Sequence, residues 1–170
     1  MELPLPLSPL QLKEHGFTTV RIQAVDGGSP TAEPSLRPAI WFEQEPSSPN
    51  QWRLRLSLHL GSQDPAKPFA YEADIKLQGK VQVSDSFPQD RKEQLALVNG
   101  LSLLYSAARE MLLSITARSV YGALTLPTVS FVNLVKEATQ PKPPPQDPVP
   151  AQPTPAHPPA AGPQHQSTAA

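Results

Sequence analysis

The sequence predicts an α+β fold: a four-stranded antiparallel sheet, then a long helix and a short second helix, with a proline-rich C-terminal tail. Three observations carry that prediction. Residues 17–83 hold four runs of alternating apolar and polar residues, separated by stretches rich in Gly, Pro, Ser and Asp. Residues 89–118 instead repeat apolar residues at three- and four-residue spacing. Of 23 prolines, 11 lie in residues 141–170, which hold one Lys (Lys142), one Asp (Asp147) and no aromatic residue.

Such a tail cannot bury enough apolar surface to offset its chain entropy, so residues 141–170 read as a disordered Pro/Ala/Gln-rich segment. The folded domain is then residues 1–140. Its first 15 residues read as an irregular arm, because Pro4, Pro6 and Pro9 lack the N–H that regular pairing needs. Net charge is −1 with no large basic block, which argues against a nucleic-acid partner. The absence of cysteine excludes disulfides, thiol catalysis and cysteine-ligated zinc. Residues 1–7 are apolar but have no basic leader, unlike a signal peptide, and no run of about 18 apolar residues is present to insert into a membrane. The expected location is cytoplasmic.

The first strand is expected over residues 17–25, where Val20, Ile22 and Ala24 alternate with Thr19, Arg21 and Gln23; Asp26-Gly27-Gly28-Ser29-Pro30 breaks it. The second spans residues 36–44, with Ile40 and Phe42 on one face and Trp41 on the other, and Pro38 argues for a sheet edge. The third, residues 51–60, alternates most clearly: Trp52, Leu54, Leu56, Leu58 and Leu60 against Arg53, Arg55, Ser57 and His59. The fourth covers residues 69–83, with Phe69, Tyr71, Ala73, Ile75, Leu77, Val81 and Val83 opposite Glu72, Asp74, Lys76, Gln78, Lys80 and Gln82. Short turns between them suit an antiparallel meander or a Greek key with one wet face. Pro88 and Asp90 suit a helix start. Val98, Leu101, Tyr105, Ala108, Leu112 and Ile115 form one stripe, and Leu97, Leu103, Leu104, Met111 and Leu113 widen it. Asn99-Gly100 weakens the helix, and Arg118 and Gly122 suit its end. Residues 123–129 form an apolar loop. Ser130 could cap the second helix, residues 131–138.

No catalytic constellation is present, so an enzyme is not expected, nor is a cofactor or metal. His15, His59, His157 and His165 have no metal-ligand spacing, and Gly27-Gly28 is a turn with no phosphate-binding helix after it. Apolar residues stand instead where a folded chain has little use for them. Tyr121, Leu124, Leu126 and Val129 sit in or beside a loop, and Trp41 lies opposite its apolar neighbours.

The run Ala108-Arg109-Glu110, followed by Ser114, Arg118, Leu124, Leu126, Val129 and Phe131, closely resembles the SecB export chaperone family. In that family a long helix carries Ala-Arg-Glu and ends near an Arg. The chain then crosses through a Phe-Pro loop to a Leu-x-Leu-x-Pro-Val-Asn-Phe motif. Four strands followed by two helices is also the family order. This chain departs at Tyr121-Gly122, where Phe-Pro is common, at Pro127-Thr128-Val129-Ser130, in place of Ala-Pro-Val-Asn, and at Gly100-Leu101, in place of a Cys-Pro pair.

The resemblance implies an ATP-independent holdase that binds unfolded clients or preproteins, for export or for a dedicated client such as an antitoxin. It places client-binding residues at Leu36, Trp41, Trp52, Tyr121, Leu124, Leu126, Val129 and Phe131. It places an oligomer interface at Leu101, Tyr105, Ala108, Arg109, Glu110 and Leu112, within a homotetramer built as a dimer of dimers. Glu72 and Asp74 fall where the family docks the SecA motor, although Lys76 and Lys80 interrupt the acidic patch. The competing class is a non-catalytic adaptor that binds one folded partner on the same scaffold, with Pro145-Gln146-Asp147-Pro148 as a minimal proline motif.

Overall fold

The computed structural model describes residues 6–133. The expectations for residues 1–5, for the second helix beyond Asn133 and for the tail lie outside the described residues. The chain forms β1 (Leu10–Ala24), β2 (Pro34–Gln44), β3 (Gln51–Ser62), β4 (Tyr71–Val83) and α1 (Gln89–Thr116). The sheet order is β1-β4-β3-β2 and every pairing is antiparallel. Three hairpin-linked strands with β1 returning beside β4 make the Greek key of the two topologies left open by the pattern. β2 is an edge strand, as Pro38 requires.

β1 begins seven residues earlier than expected. Residues 10–15, expected to lie in an irregular arm, belong to the strand that pairs with β4. Pro9 marks the boundary: it cannot donate to a ladder, but its carbonyl accepts from the Ser84 N–H at 2.8 Å. Strict alternation fails in this strand because its register shifts between Leu12 and Glu14 and again between Phe17 and Thr19. Each bulge inserts one extra residue and resets which side chains face inward.

The inner sheet face carries Trp52, Leu54, Leu56, Leu58 and Leu60 from β3 and Tyr71, Ala73, Ile75, Leu77, Val81 and Val83 from β4, all buried. α1 packs over β4, β1 and β3. Two glycines permit the close crossing. A Cβ on Gly79 would meet Leu104 Cδ2 at 2.8 Å, and a Cβ on Gly100 would collide with Leu54 Cδ1. Gly100 weakens the helix locally, and the approach of helix to sheet is what it makes possible.

α1 buries Leu97, Leu101, Leu104, Tyr105, Ala108, Leu112 and Thr116. The inward stripe therefore ends on Thr116, while Ile115, expected on it, is 45% exposed. The helix also ends before Arg118, and no basic residue stands in its last turn. Gly122 has φ 78°, the left-handed backbone suited to glycine, but it closes a turn beyond the helix, donating to Ser119 O at 3.0 Å. Near the helix start Lys92 is buried, its Nζ donating to Asn50 Oδ1 at 2.8 Å and to Asp85 O at 3.4 Å. Asn50 also donates to the Asp85 carboxylate, so one polar knot ties the β2–β3 turn to α1.

Candidate functional site

Residues 117–131 cross from the end of α1 back along the domain with no regular structure, and four side-chain hydrogen bonds fasten them. Thr116 Oγ1 donates to Leu112 O at 2.7 Å and accepts from the Leu124 N–H at 2.7 Å. Tyr71 Oη donates to Gly122 O at 2.5 Å, Tyr121 Oη to Val25 O at 2.7 Å, and Tyr105 Oη to Pro127 O at 2.8 Å. Backbone carbonyls without ladder partners are thus satisfied by hydroxyls from β4, α1 and the loop itself. Edge-to-face contacts of Tyr71 with Tyr121 and of Tyr105 with Phe131, each with ring centroids 5.8 Å apart, brace the same segment. Burial raises the Tyr105 phenol above its ordinary pKa, against a smaller lowering by Arg109, and favours the neutral hydroxyl that makes the bond.

The fastened loop sorts the expected client-binding residues into two groups. Leu126 and Phe131 are plugs, each 2% exposed, and Trp52 is buried at the head of β3. The core absorbs all three, so a client cannot reach them without opening the chain. Tyr121, Leu124 and Val129 are half-buried, as is Leu36. Leu36 belongs to an inner-face row of β2 with Ile40 and Phe42, which pair with Leu60, Leu56 and Leu54 respectively. All three are half-buried because β2 lies largely outside the footprint of α1. The sequence puts Ile40 and Phe42 on one face of β2 without marking them as client-binding residues; the extent of helix cover is what leaves them half-open. Trp41 lies on the opposite face with the Arg55 guanidinium 4.3 Å above its ring, and so is separated from that row by the sheet.

The expected interface residues divide in the same manner. Leu101, Tyr105, Ala108 and Leu112 pack into the chain's own core, because the four-stranded sheet needs a full helical stripe to cover it. Arg109 is half-buried and Glu110 exposed. The large apolar residues that α1 leaves exposed are Leu103, Leu113 and Ile115.

The outer sheet face is polar. Asp74 accepts a hydrogen bond from His59 Nδ1 at 2.8 Å, and this bond, with the charges of His59, Arg21 and Lys76, holds its carboxyl below the ordinary range despite some desolvation. Glu72 stays exposed at the start of β4, paired with Gln23. Among the described residues no cluster of three or more His, Asp or Glu could hold a metal, and no helix is long and apolar enough to cross a membrane.

No protein-family model matches this sequence and no curated protein does. Solved structures do. A SecB-like chaperone of Mycobacterium tuberculosis, in complex with a ChAD peptide from the HigA1 antitoxin, superposes with a TM-score of 0.52 at 18% identity. The match covers 71% of this chain and 91% of that one. The fold is SecB-like. A protein of unknown function from Streptococcus agalactiae aligns more distantly, with a TM-score of 0.42 at 10% identity, over 70% of this chain and 97% of its own. On the SecB-like fold of this chain, the apolar row of β2 and the fastened crossover loop are among the parts of the inner side that the helix leaves open, as is Val20 of β1, which pairs with Ile75 and is 40% exposed.

Proposed function

We propose that the protein is an ATP-independent holdase that captures extended apolar segments of unfolded clients. The observation that carries this is the inner-face row Leu36, Ile40 and Phe42 on an edge strand that α1 does not cover. Half-buried Tyr121, Leu124 and Val129 add apolar surface on a loop whose hydroxyl bonds hold it in place. Extended client backbone suits an edge strand, which has one row of N–H and C=O groups without a neighbour, and alternate client side chains suit an apolar row. Capture of this kind is passive and needs no nucleotide.

The client class we favour is a dedicated partner such as an antitoxin. The SecB-like chaperone of similar fold was solved with an antitoxin peptide, and the cations beside Glu72 and Asp74 argue against docking of SecA for general export. The chain assembles as an oligomer, up to the dimer of dimers, through the outer side of α1, where Leu103, Leu113 and Ile115 remain exposed next to Arg109 and Glu110. Several weak sites in one assembly then give avidity for a long client. The reading places the protein in the cytoplasm, where unfolded clients emerge.

A slow-folding client diluted from denaturant into a molar excess of the protein tests the proposal. Its refolding should be delayed without ATP, and Ile40→Ser with Leu124→Ser should restore the spontaneous rate. An unchanged refolding rate in the presence of the unaltered protein would overturn the holdase reading.

A further inference from the structure

The outer face of the sheet has an order that the chaperone reading leaves unused. Cross-strand register arranges it in rows running β1, β4, β3, β2. One row reads Arg21, Asp74, His59, Arg37. The next is Thr19, Lys76, Ser57, Ala39, then Gly16, Gln78, Arg55, Trp41, then Glu14, Lys80, Arg53, Glu43.

The two central rows contain two cations and no carboxylate. Lys76 and Arg55 are both exposed, and neither has an ion-pair partner among the described residues. Only one flanking row is compensated: Glu45 pairs with Arg53 at 2.7 Å and lies 3.8 Å from Lys80. In the other, Asp74 is engaged by His59 at 2.8 Å, and Arg21 and Arg37 have no ion-pair partner among the described residues, which adds to the positive character of this side. Thr19, Ser57 and Ala39 share the row of Lys76, and Gly16 shares that of Arg55. A depression of about 420 Å³ lies beside Arg55, Arg53 and Gly16 with Glu14 at its edge, and one of about 450 Å³ lies beside Lys76, Arg37, Ser57 and Ala39 with the His59-bonded Asp74 at its edge.

Arg55 is also held in position. Its guanidinium stacks on Trp41, itself 39% exposed, which orients the planar fork while leaving its edge free to donate. An exposed Trp beside an oriented Arg is the composition of a binding hot spot.

We propose that this face is a second docking site, for an acidic peptide segment of a partner protein. Two carboxylates of an extended segment, side chains two residues apart and so about 7 Å apart, would meet Lys76 and Arg55, which lie one row and one strand apart. The small residues leave room for the segment's backbone, and Trp41 offers a flat apolar neighbour. The surrounding carboxylates Glu14, Glu43, Glu72 and Asp74 favour a short acidic segment over a nucleic acid, whose continuous phosphate track would run against them. The site is on the opposite side of the sheet from the apolar row of β2, so the proposal stands or falls apart from the holdase reading.

The test uses the full chain and three labelled probes of equal length followed by fluorescence anisotropy. One is a peptide with Glu at alternate positions and one aromatic residue, the second replaces each Glu with Lys, and the third is a single-stranded oligothymidine. The acidic peptide should bind and weaken with added salt, the basic peptide should not bind, and the oligothymidine should bind more weakly than the acidic peptide. Lys76→Glu with Arg55→Glu should weaken the acidic peptide about tenfold or more, with the circular dichroism spectrum and the delay of client refolding unchanged. Should that double variant misfold, Lys76→Gln with Arg55→Gln gives the same reading with a smaller loss. Equal binding of acidic and basic peptides, tighter binding of the oligothymidine, no binding of the acidic peptide at low salt, or indifference of a folded variant would each overturn the proposal.

Discussion

Helix α1 and the crossover 117–131 both carry more apolar residues than their position suggests, and they are held by different physics. α1 commits one stripe to the sheet, and its place is set by shape, through Gly79, Gly100 and side chains that interdigitate with β3 and β4. The crossover has no repeat. Two of its residues, Leu126 and Phe131, are driven into the core, and hydroxyls from Thr116, Tyr71, Tyr105 and Tyr121 fix the rest. A periodic segment can therefore lose a polar contact and keep its place, whereas the crossover cannot.

The largest test of that contrast compares a plug with a stripe residue. Phe131→Ala should cost about 3–5 kcal/mol and Leu101→Ala about 2–5 kcal/mol in denaturant unfolding. The two should differ in native-state hydrogen exchange. Phe131→Ala is expected to loosen residues 122–131 ahead of global unfolding, while Leu101→Ala should accelerate exchange across the sheet and α1 together. Matching exchange profiles would show that the crossover is part of the same cooperative unit as the helix.

The second test removes polar fixation without a cavity. Thr116→Val keeps the volume near constant but strands the Leu124 N–H and is expected to cost about 1–3 kcal/mol. Close to neutral stability would mean that water replaces the hydroxyl and that the loop is not fastened at this point.

Tyr105→Phe is a milder version, with an expected loss of about 1 kcal/mol from the bond to Pro127 O. It has a pH signature as well. Because burial raises the phenol's pKa, the folded chain favours the neutral form. That contribution is complete below the ordinary tyrosine range near about 10 and is lost as pH rises from there through the raised value. The alkaline limb of the stability profile should accordingly flatten in the variant; an unchanged limb would show that Tyr105 is not the group that titrates.

The same contrast explains what could be read from the residues. β2, β3 and β4 were legible because period-two alternation survives wherever the register is unbroken, and α1 was legible from its 3.6-residue repeat. The first half of β1 was not, since its two bulges reset the alternation around Lys13 and Thr18. In the crossover the residue types flagged something unusual, yet only the tertiary contacts distinguish a plug such as Leu126 from a half-open residue such as Leu124. No local signal pairs Tyr71 with Gly122 or Tyr121 with Val25, which lie 51 and 96 residues apart. The helical stripe was likewise read as buried, but periodicity cannot say whether its cover is the chain's own sheet or a second copy. Leu101, Tyr105, Ala108 and Leu112 turned out to be needed at home.

That leaves the outer side of α1 for the smallest expected effect on stability. Leu113 is 39% exposed and Leu103 42% exposed, so Leu103→Ser with Leu113→Ser should change the unfolding free energy of the single chain by no more than about 0.5 kcal/mol for each site. If these residues join copies, the same pair of substitutions should reduce the mass seen by light scattering at micromolar concentration. A dilution series separates the two effects, because an assembly contributes a stability that depends on protein concentration and an isolated domain does not. Unaltered mass with unaltered stability would remove this face from the interface and leave the sheet edges at β1 and β2 as the surfaces through which copies of the chain could meet.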